Sequence, residues 1–129
     1  MKPQKIYILT FLSGVLLLLC LSQCSKKDED NDLAVFPKFN ISPQSGTTQT
    51  TFTFDSTPTT WNGYTPEVQF QFNYDWDFGD GTTKLHADNI ETHQYTDPGQ
   101  YKVTLTVTLT NLSTNETVNE SYSDNLTVQ

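Results

Sequence analysis

The sequence predicts an all-β fold, an antiparallel sandwich of about seven strands, and three observations predict it. Beyond residue 34 the apolar residues recur with a period of two rather than 3.6. Turn-forming clusters of Gly, Pro, Asp, Asn and Ser separate these runs at short intervals. No segment outside the N-terminal apolar run carries a helical stripe. A chain of 129 residues has room for one such domain, and with no internal repeat it reads as a single module.

The strands follow in order. "VFPKFNI" offers Val35, Phe39 and Ile41, with Pro37 confining it to a sheet edge. "TFTF" at 51–54 gives a short strand presenting Phe52 and Phe54. In "VQFQFNYDWDF", Phe70, Phe72, Tyr74, Trp76 and Phe78 face inward, while Gln69, Gln71, Asn73, Asp75 and Asp77 face water. The clearest run is "YKVTLTVTLT", residues 101–110: Tyr101, Val103, Leu105, Val107 and Leu109 share one face and Lys102 with four threonines the other. Such alternation marks a half-buried strand with one wet face. The last strand, roughly 117–128, carries Val118, Tyr122, Leu126 and Val128 on even positions. Between these lie the turns "SPQSG", "GDG", "DPGQ" and "NLSTNE". In Asp97-Pro98-Gly99-Gln100 the Pro and Gly stand where a type II turn wants them.

The N-terminal 1–23 has the layout of a secretory signal: Lys2 and Lys5, an apolar core from Ile6 to Leu21, then polar residues. The apolar run is also at the short edge of a membrane span, so an uncleaved anchor is the competing reading. "LSQC" resembles the lipobox of bacterial lipoproteins, in which the cysteine, here Cys24, is acylated and becomes the mature N-terminus. Leu21 and Ser22 fit that pattern, and Gln23 stands where a small residue is usual. Acyl chains anchor a soluble domain at about 0.8 kcal/mol per buried CH₂. Residues 24–34 then form an acidic tether. Within it, Lys27-Asp28-Glu29 resembles the signal that sends some lipoproteins to the outer face of the outer membrane; a plain solvated linker is the alternative. The expected location is therefore the cell envelope, lipid-anchored at the outer membrane and surface-exposed.

Cleavage before Cys24 leaves five lysines against fifteen acids, a formal charge of −10, and no arginine. Such a chain repels nucleic acid and anionic headgroups. An acylated Cys24 leaves no cysteine for an intrachain disulfide, so the 35–129 domain must hold by packing alone.

The stretch "DWDFGDGTT" (75–83) raises the question of a carboxylate site. Strand parity turns Asp75 and Asp77 away from the core, and Asp80-Gly81 sits where the chain must reverse. The calcium-loop spacing with its terminal glutamate is absent, and acids on a wet face offer no cleft for paired-carboxylate hydrolysis. His86 and His93 lack further ligands at metal-binding spacing and read as structural. No nucleophile–base order is visible. The expectation is no catalytic residues, no metal and no cofactor.

"YDWDFGDGTT" followed by "HQYTDPGQYKVTLTV" resembles the PKD domain, the Ig-like module named for the polycystic kidney disease protein. The matching pieces are Trp76 to Gly81, His93-Gln94-Tyr95, Pro98-Gly99, and Tyr101 through Leu105. The resemblance spans about 35–128. It implies a seven-strand Ig-like sandwich that contacts extracellular proteins or polysaccharides and is not an enzyme.

The less routine segment is "STPTTWNGYTPEVQ" (56–69), with Trp61 and Tyr64 around Asn62-Gly63. Loop aromatics are costly to expose unless packed or used. An aromatic face stacking on a sugar ring is the usual physics of glycan recognition, which makes Trp61 and Tyr64 the candidate ligand-binding residues. Against this stands a plainer reading, in which Trp61 caps the sandwich or the loop forms an extra hairpin. The expected function is a surface-anchored module binding a glycan or an extracellular protein; the alternative is a structural spacer or accessory subunit of an envelope complex.

Overall fold

The structure is a computed structural model that describes residues 32–63 and 68–129. The signal segment 1–23, Cys24, the tether up to residue 31 and Tyr64 lie outside the described residues. Ten strand segments and no helix occur among those described.

One layer is a five-stranded sheet in the order β3–β10–β9–β6–β7. Its centre is β9 (Gly99–Asn111), paired antiparallel on one side with β10 (Thr117–Val128) and on the other with β6 (Phe70–Asp77). At its edges lie β7 (Thr83–Ala87) and the two-residue β3 (Ser45–Gly46), which runs parallel to the end of β10. The facing layer is β2 (Asn40–Ser42), β4 (Phe52–Asp55) and β8 (Ile90–His93). A short ladder of β1 (Val35–Phe36) with β5 (Thr60–Trp61) completes the set.

The period-two pattern explains this layering. Val103, Leu105, Val107 and Leu109 are all fully buried, as are Phe52 and Phe54 from the facing sheet. Trp76 lies at the centre, 1% exposed. The Phe39 ring meets it edge-on at 5.1 Å and the Phe54 ring at 5.9 Å, while its indole N–H donates to the Asp88 carbonyl at 3.3 Å. Each such apolar side chain removed from water contributes about 1.5–3 kcal/mol before entropy is set against it.

Three features differ from the sequence expectation. The expected strand 35–41 is interrupted around Pro37, which has no N–H to donate. At the break, the Thr59 hydroxyl accepts from Lys38 N–H at 3.1 Å and donates to the Lys38 carbonyl at 3.0 Å. The inward set of β6 is not uniformly buried: Trp76 and Phe78 are, but Phe70, Phe72 and Tyr74 are only half-buried. The Asp97–Gln100 reversal is not a type II turn, because Gly99 lacks the positive φ that type II requires and already belongs to β9. The corner is held instead by Tyr101, whose hydroxyl donates to the Asp97 carbonyl at 2.7 Å while its ring lies across Gly99.

Candidate binding surface

The "WDFGDG" segment closes β6 and reverses the chain toward β7. Gly79 and Gly81 adopt φ of 81° and 89°, a region that only glycine enters freely. At Gly79 a Cβ would lie 2.6 Å from the Lys102 carbonyl oxygen, so the backbones of two neighbouring strands approach there as only glycine permits.

All three acids of the motif are hydrogen-bonded to backbone. Asp77 Oδ1 accepts from Gly79 N–H and Asp80 Oδ1 from Thr82 N–H, both at 2.9 Å. Asp75 Oδ1 accepts from His86 N–H at 2.8 Å, at the point where the β6–β7 register shifts and His86 takes a φ of 51°. Each carboxylate thus fixes a departure from regular strand geometry. Among the described residues no group of three or more His, Cys, Asp or Glu side chains could hold a metal ion.

The two histidines differ. His86 is exposed in β7. His93 stacks on Phe78 with ring centroids 4.3 Å apart, and its Nε2 lies 2.7 Å from Asp80 Oδ2. Tyr95 meets His93 edge-on at 4.7 Å, stacks on Tyr101 at 4.1 Å, and donates its hydroxyl to the buried Phe78 carbonyl at 2.9 Å. Burial raises the Tyr95 phenol pKa far above its ordinary value, with the negative charge of Asp80 adding to the effect. At Asp80 burial also pushes upward, but hydrogen bonds from His93 and Thr82 outweigh it and hold the carboxyl below its ordinary range. This end of the sandwich is a closed network of aromatics and hydrogen bonds.

The other end is built differently. Trp61 pairs with Val35 across the β1–β5 ladder, and Asn62 N–H donates to the Ala34 carbonyl at 3.0 Å. Asn62 Oδ1 in turn accepts from Ala34 N–H at 2.6 Å, and Gly63 turns the chain with a φ of 85°. The Trp61 ring meets Phe72 edge-on at 4.9 Å yet remains 42% exposed. Sequence reasoning gave Phe36 no role, although it is 56% exposed. Its signal was available: with Val35 turned inward, alternation sends the next residue outward.

Over residues 35–128 the sequence matches the PKD domain family, about three quarters of the chain. This chain belongs to the PKD domain family. None of the curated proteins compared with it matches significantly. Among solved structures, it is similar to a protein of the carbohydrate-binding modules of the β-sandwich superfamily, studied for the basis of their promiscuous specificity. That match has 25% identity and a TM-score of 0.57, covering 77% of this chain and 35% of the other. The PKD chain therefore spans about a third of that protein's length. It is also similar to the PKD1 domain of Vibrio anguillarum Epp, with 20% identity, a TM-score of 0.43, and 74% and 96% of the two chains covered. The PKD domain of an M14-like peptidase from a Thermoplasmatales archaeon gives 22% identity, a TM-score of 0.46, and coverage of 76% and 97%. The fold is thus the expected all-β Ig-like sandwich, and PKD sandwiches are in general non-catalytic.

Proposed function

We propose that this PKD protein is a lipid-anchored binding module of the bacterial cell surface, which holds a glycan or a glycan-bearing extracellular protein against Trp61 and Tyr64. The observation that carries the reading is the presentation of Trp61. Its ring is fixed edge-on against Phe72 by a strand ladder, yet 42% of the residue faces water. A rigid, half-exposed indole offers a flat apolar surface to a sugar face at little cost in ordering entropy. The 25%-identical neighbour among carbohydrate-binding modules supports the glycan class. The excess of acids directs the choice toward neutral or cationic glycans.

A broad glycan array and a pull-down with the full chain in mild detergent test this reading. Binding is expected to weaken about tenfold or more in Trp61→Ala, in line with loss of one central aromatic contact. Arrays and pull-downs that stay empty, or ligands held equally well by Trp61→Ala and Tyr64→Ala, overturn it. The anchor has its own test. Metabolic labelling with a fatty acid is expected to mark the wild type and leave Cys24→Ala unlabelled; equal labelling or none removes the lipid from the proposal.

A further inference from the structure

Strand β10 has an unusually open edge. It pairs with β9 along its whole length, Thr117 to Val128. On its other side it pairs only at Thr127 and Val128, with β3. Among the described residues nothing pairs with that side from Thr117 to Leu126. The reason lies in the facing strand: β2 belongs to the other sheet, and the chain crosses to β10 only at Ser45.

Hydrogen-bond parity shows which groups this edge presents. Gln129 N–H donates to the Gly46 carbonyl, on the β3 side, while the Glu116 carbonyl accepts from Asn111, on the β9 side. The β9–β10 register runs without a shift. Odd-numbered residues therefore turn their N–H and C=O outward. Asn125 N–H is met by Asp124 Oδ1 at 2.8 Å. Thr117, Asn119, Ser121 and Ser123 are left to face the open side.

The even residues project toward the interior at this margin, and two depressions open there, one between β10 and β1 and one between β10 and β2. One, of about 380 Å³, is bounded by Leu33, Val35, Phe36, Val118 and Glu120. The other, of about 250 Å³, is bounded by Ile41, Gln44, Asp124 and Asn125. Half-buried Tyr122, edge-on to Phe39 at 5.4 Å, stands between Glu120 and Asp124 in the strand. Each depression thus has one carboxylate on its rim, and neither acid takes part in an ion pair among the described residues. Four residues of strand separate the two acids, roughly 14 Å.

We infer that the β10 edge is a docking site for an extended, cationic peptide segment of a partner protein, which adds as a further strand beside Thr117–Ser123. Main-chain pairing supplies the ladder, and alternate side chains enter the depressions. Residues opposite Glu120 and Asp124 lie about 5 Å from them across the pair, so the peptide carries Lys or Arg at two positions four apart. Apolar residues stand opposite Val118, where they cover Phe36, and opposite Tyr122. Charge selects this occupant over a second copy of the chain, which would bring the same acids to the same edge. The site does not include Trp61, although Val35 and Phe36 of β1, the strand paired with that of Trp61, line its first depression. Its pairing groups lie on β10, so peptide binding and glycan binding are read by separate measurements.

The test uses the full chain and a short synthetic peptide alternating threonine with valine and lysine, the lysines four apart. Calorimetry is expected to show binding that weakens with added salt, and about fivefold in the Glu120→Gln/Asp124→Asn double variant, as two exposed ion pairs are lost. N-methylation of alternate peptide amides is expected to abolish binding with the protein left unchanged. Hydrogen exchange at Thr117, Asn119, Ser121 and Ser123 is expected to slow only with the unmethylated peptide. No binding, binding indifferent to N-methylation, or protection of these amides by self-association of the chain would each overturn the inference.

Discussion

The two tryptophans lie on either side of the line between structure and use. Trp76 is 1% exposed, enclosed by Phe39 and Phe54, with its N–H bonded to the Asp88 carbonyl. Among the described residues Trp61 has one aromatic neighbour, Phe72, and 42% of it is in water. Trp76 belongs to the densest motif in the sequence, and Trp61 to an unpatterned connection between strands. The patterned end is occupied with holding itself together: its acids bind backbone, and its aromatics bind one another. The unpatterned end has aromatic surface to spare. In this chain, density of motif marks fold rather than chemistry.

The largest expected effect tests that contrast directly. Trp76→Ala should lose about 3–5 kcal/mol of stability, the range for emptying a core aromatic site. Trp61→Ala should lose far less, about 1–2 kcal/mol, because much of its surface never leaves water. Urea unfolding of the two variants measures both. Acrylamide quenching should reach Trp61 in the Trp76→Phe protein and hardly touch Trp76 in the Trp61→Phe protein. Equal losses, or equal quenching, would erase the distinction between the two ends.

The next effect separates two glycines within one turn. Gly79 and Gly81 share a positive φ, so alanine strains either by about 1–2 kcal/mol. Only at Gly79 does a Cβ also collide with the Lys102 backbone; at Gly81 nothing lies within 4 Å. Gly79→Ala should therefore cost about 1–3 kcal/mol more than Gly81→Ala, since the β9 backbone must move to admit it. Thermal unfolding of the pair distinguishes close approach from turn geometry.

These residues also show how far the sequence could be read. Strand parity identified Trp76, Phe78 and the β9 apolar row as core, because a period of two has one meaning when one face is wet. It turned Asp75 and Asp77 away from the core for the same reason, while Asp80 was legible from turn chemistry, as an Asp-Gly pair where the chain reverses. It overstated the burial of Phe70, Phe72 and Tyr74, since parity gives a face and not the extent of the sheet lying over it. Strands β3 and β5 went unread, each being two residues long and defined by partners distant in sequence, Val128 for one and Val35 for the other. Strands β7 and β8 went unread too, because residues 83–93 carry no sustained apolar alternation, and His86, expected in a loop, lies in β7. The open β10 edge was invisible for a related reason. Alternation reports which way side chains point, and says nothing of whether a neighbour satisfies the backbone.

The smallest expected effect lies at the closed end, in its dependence on pH. The Asp80 carboxyl is held below its ordinary pKa in the folded state, where hydrogen bonds from His93 and Thr82 outweigh burial. In acid the unfolded chain then binds a proton at Asp80 before the folded one does. The stability Asp80 contributes is thus complete above its unfolded pKa, about 3.9, and is lost as pH falls through the lower folded value. Asp55 and Glu91 are lowered likewise, by hydrogen bonds from Thr57 and from Lys84, and titrate in the same direction. An Asp80→Asn variant isolates the one group, since the other two cancel in the comparison. Its urea midpoint should lie below that of the wild type near neutrality, and the two should converge as pH drops from about 5 toward 2. Parallel curves would mean that the His93–Asp80 contact contributes no pH-dependent stability. The closed end would then rest on its aromatic packing and on its other hydrogen bonds, such as that from the Tyr95 hydroxyl to the Phe78 carbonyl.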